Sequence, residues 1–243
     1  MHKEVDFEND IEQALIGEGG YLKGDAAAYD ADSGLFPHEV LAFVRATQPK
    51  VWERLEKLDA QRAPAVLVDS LVKELAGKGA LAVLREGFKC VGKTVRLAYF
   101  APNTGLDPTA TERYRDNRLT IARQVRTQTG AIPDVVLAVN GLPVATLELK
   151  NPMSATHWSV ENAKRQFRFE RDPKDILFAF KQRCLVHFAV DTEQVFMTTR
   201  LEGKETFFLP FNKGYAFGAG NPPVEGDVRT AYLWREVLAR DSL

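Results

Sequence analysis

Cysteine is nearly absent. Cys90 and Cys184 are the only two in 243 residues, and they stand far apart without partners at metal-ligand spacing. That excludes a zinc cage or a disulfide framework and fits a reducing cytoplasm. Histidine is scarce too, and His38, His157 and His187 do not fall at ligand spacing. His187, in an alternating run, reads as structural, while His157, close to Asn151 in sequence, is open to a role at a substrate. No apolar run reaches the ~18 residues of a membrane span. The opening MHKEVDFENDIE is acidic where a signal peptide would be basic and then apolar. The chain is therefore expected to be soluble and cytoplasmic, with no membrane partner. Internal repeats and low-complexity tracts are also missing.

Net charge is only −1, which taken alone argues against a nucleic-acid partner. Its distribution argues otherwise. Residues 1–40 carry ten acids against two bases. Residues 112–126 carry five Arg against two acids, and residues 161–183 carry seven Lys or Arg against four acids. The two basic stretches flank residues 134–150, and a local basic footprint is what phosphate binding requires whatever the global sum. The same stretches also read as solvated faces of ordinary surface elements. With 45% hydrophobic and 27% charged residues, the chain can bury a sizeable core without staples, as one large domain or a compact core with a smaller appendage.

The first ~90 residues have mainly helical periodicity. Val5, Glu8, Ile11 and Leu15 predict a helix that stops near Gly17–Gly20. Leu35–Leu58 predicts two short helices parted by Pro49, and Leu67, Leu71 and Leu75 mark another ending at Gly77. After Lys93 the period changes. Thr94–Phe100, Leu119–Arg126, Pro133–Val139, Pro143–Lys150, Leu185–Val190 and Gln194–Thr199 are strand candidates. Asn140-Gly141 is a strong hairpin signal. Val160–Arg171 predicts a polar, basic helix, Phe207–Pro223 a loop, and Thr230–Leu238 a closing helix. The order indicates an α+β or mixed α/β fold whose sheet begins antiparallel.

Chemistry concentrates in IPDVVLAVNGLPVATLELK, residues 132–150. Asp134 opens one strand, and Glu148 and Lys150 lie two apart at the end of the next, on one face of it by period-two alternation. A Glu and a Lys pointing together at the end of an apolar hairpin are costly unless the site is open to solvent or occupied by an ion. Two carboxylates and a backbone carbonyl suffice for magnesium, which keeps several of its waters. Such an ion suits phosphodiester hydrolysis, with Lys150 orienting the water or stabilising developing charge. Glu-x-Lys on its own is also what an exposed surface pair looks like. Register matters here. A plain two-residue turn at Asn140-Gly141 would put Asp134 and Glu148 on opposite faces. A three-residue loop, Val139–Gly141, pairs Asp134 with Thr146 and brings Glu148 to the same face, and this parity is expected.

The segment resembles the PD-(D/E)xK nuclease motif, read as Pro133-Asp134 and Glu148-Leu149-Lys150. More narrowly, NGLPVATLELKNP is similar to the nuclease domain of the restriction (R) subunit of type I restriction-modification enzymes. So are LAYF at 97–100, NRLT at 117–120, VHFAVD at 186–191, MTTRL at 197–201, FLPFNKG at 208–214 and AYLW at 231–234. The resemblance implies a restriction-endonuclease-like mixed α/β core over residues 93–243, preceded by a mainly helical section, 1–92, that contributes a helix to the nuclease. It implies Mg2+-dependent cleavage of double-stranded DNA without sequence choice, Asp134 and Glu148 binding the ion and Lys150 acting on the water. It makes Glu8 an accessory acid on the first helix and Gln166 an accessory on the helix after the lysine. Glu170 stands where the family's aromatic would follow that glutamine; Phe167 and Phe169 are the nearest aromatics. Implied partners are an ATP-hydrolysing motor region of the same subunit and the methylation and specificity subunits. A motor does not fit before Leu243, so an excised N-terminal domain or a truncated product is expected.

A rival motif competes. Residues 87–94, GFKCVGKT, match G-x-x-x-x-G-K-[ST] in full, and Val186–Asp191 can pass for a Walker B strand. A P-loop needs a strand before it and a helix opening at Lys93-Thr94, whereas Thr94–Phe100 alternates like a strand, so a turn is the alternative. A catalytically silent docking module is the third reading. Arg165 and Arg168, spaced i, i+3, suggest DNA phosphate contacts or an ordinary solvated face. Trp158, Phe167 and Phe169 read as bases' stacking partners or as packing residues.

Overall fold

The computed structural model describes residues 4–104, 106–152 and 159–242. Helix α1 (Glu4–Gly17) buries Phe7, Ile11 and Leu15, one residue per turn along a single stripe. Proline at the first turn starts each of the next three helices, α2 (Pro37–Thr47), α3 (Pro49–Asp59) and α4 (Ala63–Lys78). Its missing N–H is one the helix start leaves unpaired anyway. Leu67, Leu71 and Leu75 of α4 are wholly buried, each contributing roughly 1.5–3 kcal/mol by leaving water. Helix α5 (Ala80–Glu86) ends at Gly87.

Seven strands form the main sheet: β1 (Tyr21–Lys23), β4 (Leu119–Arg123), β5 (Val135–Val139), β6 (Leu142–Leu149), β7 (Val186–Val190), β8 (Val195–Thr198) and β9 (Leu209–Pro210), in that spatial order. Strands β4, β5 and β6 are antiparallel. β7 then runs parallel to β6, and helix α7 (Val160–Phe169) lies between them in sequence. A separate hairpin pairs β2 (Phe88–Cys90) with β3 (Lys93–Val95). The fold is mixed α/β, as the sequence predicts. Every residue of β6 is buried, as expected of a central strand covered on both faces. One face packs with Phe7, Ile11, Val40, Leu67 and Leu71 in a cluster that joins the N-terminal helices to the sheet. The other face packs beneath α7 through Val160, Ala163 and Phe167.

Several elements differ from expectation. Of the expected strand 94–100 only Thr94 and Val95 are extended in a ladder, as part of β3. Beyond it the backbone finds side chains instead. Tyr99 donates its N–H to Asn117 Oδ1 and accepts from Asn117 Nδ2, and the Leu97 carbonyl accepts from Asn140 Nδ2. The short β1 and helix α6 (Pro108–Arg115) carry no periodic signal of their own. The closing helix is a π-helical turn, Leu233–Val237. No helix among the described residues is long and apolar enough to cross a membrane.

Candidate active site

Asn140 (φ 50°) and Gly141 (φ 85°) form a two-residue turn that sets Val139 opposite Leu142. The expected three-residue loop is therefore corrected. Glycine is required at 141, because a Cβ there would meet the Phe36 carbonyl at 2.6 Å. With that turn alone, Asp134 and Glu148 would point apart. A β-bulge changes the parity: Ala138 pairs with Pro143 but Leu137 pairs with Ala145, leaving Val144 as the extra residue. Val135 then faces Leu147, and by continuation of the register Asp134 falls opposite Glu148. Asp134 Oδ2 accepts a 2.7 Å hydrogen bond from the Leu149 N–H. The end of β6 is pinned from its other side by Lys150 N–H to the Val190 carbonyl.

Glu148 and Lys150 are buried, at 0% and 2% exposure. The site is thus not the exposed strand-end pair that Glu-x-Lys can denote. Lys150 Nζ donates to the Leu149 carbonyl at 2.7 Å and lies 3.7 Å from Asp134 Oδ2. Glu148 Oε1 accepts from Arg171 Nε at 2.6 Å, while Oε2 has no hydrogen-bond partner among the described residues. Burial, and then the charge of Asp134, push the Glu148 carboxyl up to about 8 against the pull of Arg171 and Lys150. A carboxylate held so far from water, beside another and with a lone oxygen, is the environment a hard cation relieves. Among the described residues no three His, Cys, Asp or Glu side chains converge on one point. The donors that could hold such an ion are Asp134, Glu148 and a backbone carbonyl.

Glu8 reaches this region from α1. It is 5% exposed; burial first, then Asp134, raise its pKa, opposed by Arg123 and Gln124. Arg123 Nη2 holds it at 2.8 Å. Gln124, in the left-handed region (φ 56°), donates its side-chain amide to Glu8 and its N–H to the Asp134 carbonyl. That conformation costs a non-glycine residue about 1–2 kcal/mol. Arg123, Gln124 and Arg171 are the residues the sequence did not single out. Each is an ordinary basic or polar residue until the fold sets it against an acid far away in the chain.

Gln166 lies on α7 with its Oε1 buried and without a partner among the described residues. It lines a cleft of about 730 Å³ together with Ile132, Arg168, Phe169 and Arg171. Arg165 and Arg168 are held differently. Arg165 is exposed, whereas Arg168 donates to the Thr206 carbonyl and stacks over Phe208. Phe167 is core and Phe169 is 65% exposed. His187 sits between Phe167 and Phe178, bonded to Thr146, and burial lowers its pKa to about 3, so it stays neutral. His157 and Trp158 lie outside the described residues.

The P-loop alternative does not survive the fold. Residues 88–95 are a β-hairpin turning at Val91 (φ 43°) and Gly92 (φ 76°), with Lys93 opening a strand. No helix opens at Lys93-Thr94, where a P-loop requires one. Asp191 is engaged elsewhere: its carboxylate accepts from the N–H groups of Val160, at the start of α7, and of Glu193 and Gln194.

A family model, the type I restriction enzyme R protein N terminus, matches residues 38–206. The chain belongs to this family. The matched span of the R protein N-terminal family holds Asp134, Glu148, Lys150, Arg165, Gln166, Arg168 and Arg171, and Glu8 lies ahead of it. The family is that of a subunit of a multi-subunit restriction enzyme acting on DNA. No individual curated protein matches the chain.

Proposed function

We propose that this domain is a magnesium-dependent endonuclease of a type I restriction system, hydrolysing phosphodiester bonds of double-stranded DNA without sequence choice of its own. The observation that carries the proposal is the wholly buried Glu148 carboxylate, with one oxygen unpartnered among the described residues, beside Asp134 and Lys150. Asp134 and Glu148, with the Leu149 carbonyl, would hold the ion. Bound there, magnesium supplies neutralisation of the phosphoryl charge and a lowered pKa for the attacking water. Lys150 orients that water or meets negative charge on the phosphoryl oxygens. Glu8, braced by Arg123, adds an accessory acid, and Gln166 offers a buried amide beside the adjoining cleft. The domain would act beside an ATP-hydrolysing motor region of the same subunit, with methylation and specificity subunits choosing the DNA.

The test is cleavage of supercoiled DNA, with magnesium and ATP, by the assembled enzyme carrying Asp134→Asn, Glu148→Gln or Lys150→Met. Each variant should assemble and bind DNA yet fail to cut. Full cutting by all three would return the domain to a docking role.

A further inference from the structure

We infer that Arg171 is a positioning residue for this site: its guanidinium engages Glu148 through Oε1 alone, leaves Oε2 as the donor for the ion, and ties Glu148 to the strand that carries Asp134. The inference rests on the nuclease reading above. Arg171 follows the last residues of α7, where the free carbonyls of a helix end favour a cation. It is 7% exposed, and its donors are spread over three acceptors. Nε goes to Glu148 Oε1 at 2.6 Å, Nη2 to the Ile132 carbonyl at 3.1 Å and Nη1 to the Glu170 carbonyl at 3.3 Å. Ile132 lies two residues before Asp134. One planar group thus spans the entry to β5, the end of β6 and the end of α7. These are the two strands that present the carboxylates and the helix that covers them.

Two other roles are open to an arginine in this place. A buried ion pair can serve folding alone. It leaves unexplained why the guanidinium meets only one carboxylate oxygen and turns its remaining donors to carbonyls, when a fork-on-fork pairing would satisfy both oxygens. Arg171 also lines the cleft of about 730 Å³, from which a DNA phosphate could be met. The three full bonds it already makes favour the positioning role.

Arg171→Lys separates the three. Lysine keeps the charge but cannot reach three diverging acceptors from one nitrogen. Manganese, which spin resonance detects directly, serves as the probe for the full chain, and Glu148→Gln sets the level of no binding. Arg171→Lys should weaken manganese about tenfold or more, the usual effect of losing a group that orients a metal ligand. In the assembled enzyme it should lower kcat for cleavage to a similar degree while leaving KM for DNA unchanged. Unaltered manganese affinity with a lowered melting temperature would overturn the inference in favour of a folding role. Weaker DNA binding with a smaller salt slope and normal manganese affinity would overturn it in favour of phosphate contact. Should Arg171→Lys not fold, Arg171→Ala with guanidinium ion supplied through the cleft takes its place. Recovery of manganese affinity is expected, and no recovery refutes the role. Wild-type enzyme that binds manganese but never cuts DNA would sink the nuclease reading and leave the positioning role standing.

Discussion

Glu148 allows a quantitative test that needs neither DNA nor partner subunits. Its folded-state pKa, about 8, lies above its ordinary 4.5. The folded chain therefore holds a proton there that the unfolded chain has released. The stability this contributes is fully present below pH 4.5 and is lost as pH rises through 8. Across the whole window the loss is on the order of 5 kcal/mol, at about 1.4 kcal/mol per pH unit. Other groups move as well. His187, lowered from 6.5 to about 3, contributes above pH 6.5 and loses that contribution only as pH falls towards 3. Glu8 and Glu39 are raised, each chiefly by burial, and slope the same way as Glu148. The clean comparison is wild type against Glu148→Gln between pH 6.5 and 8, where His187 is silent and the other two acids largely cancel. In chelator, wild type should lose roughly 2 kcal/mol more than the variant over that range, or ~4–8 °C in melting temperature for a chain of this length. Magnesium should reverse the trend, since the ion requires the ionised carboxylate. Its apparent affinity should rise up to about tenfold per pH unit until pH 8. Equal slopes in wild type and variant, measured by urea or thermal unfolding, would refute the reasoning.

Lys150→Met should abolish cleavage by the assembled enzyme while Lys93→Ala leaves it unchanged, because Lys93 only opens an exposed hairpin strand; methionine is used because Lys150 is buried and alanine would leave a hole. Arg165→Ala should weaken binding to all DNA sequences alike and lower the salt slope by roughly one. Arg168→Ala should leave that slope intact and lower the melting temperature instead, because its guanidinium is committed to Thr206 and Phe208; an altered slope would put both arginines on DNA. Deleting Val144 removes the bulge and turns Glu148 and Lys150 towards the apolar cluster. Since total stability is only about 5–15 kcal/mol, no cooperative unfolding transition should remain, and a folded, cutting deletion variant would show that the bulge does not set the site.

The sequence by itself determined the periodic elements and the chemistry on one strand. Phe7, Ile11 and Leu15, or Leu67, Leu71 and Leu75, declare their helices because a buried stripe must repeat every turn. Glu148 and Lys150 share a face because strand side chains alternate, and the segments LAYF, NRLT and NG mark places where backbone and amide side chains clasp. Whether Asp134 joins that face was decided only by tertiary structure. The parity rests on one extra residue, Val144, and a bulge is a property of two strands, invisible along either one. Burial was equally hidden. Glu-x-Lys reads the same on a surface as beneath a helix, and only the packing of α7 over the sheet takes Glu148 out of water and raises its pKa. Arg171 lies 23 residues from Glu148, and Arg123 and Gln124 lie 115 and 116 residues from Glu8, the acids they hold. No local pattern links such partners, because a hydrogen bond between distant side chains depends on where the fold ends its helices and strands.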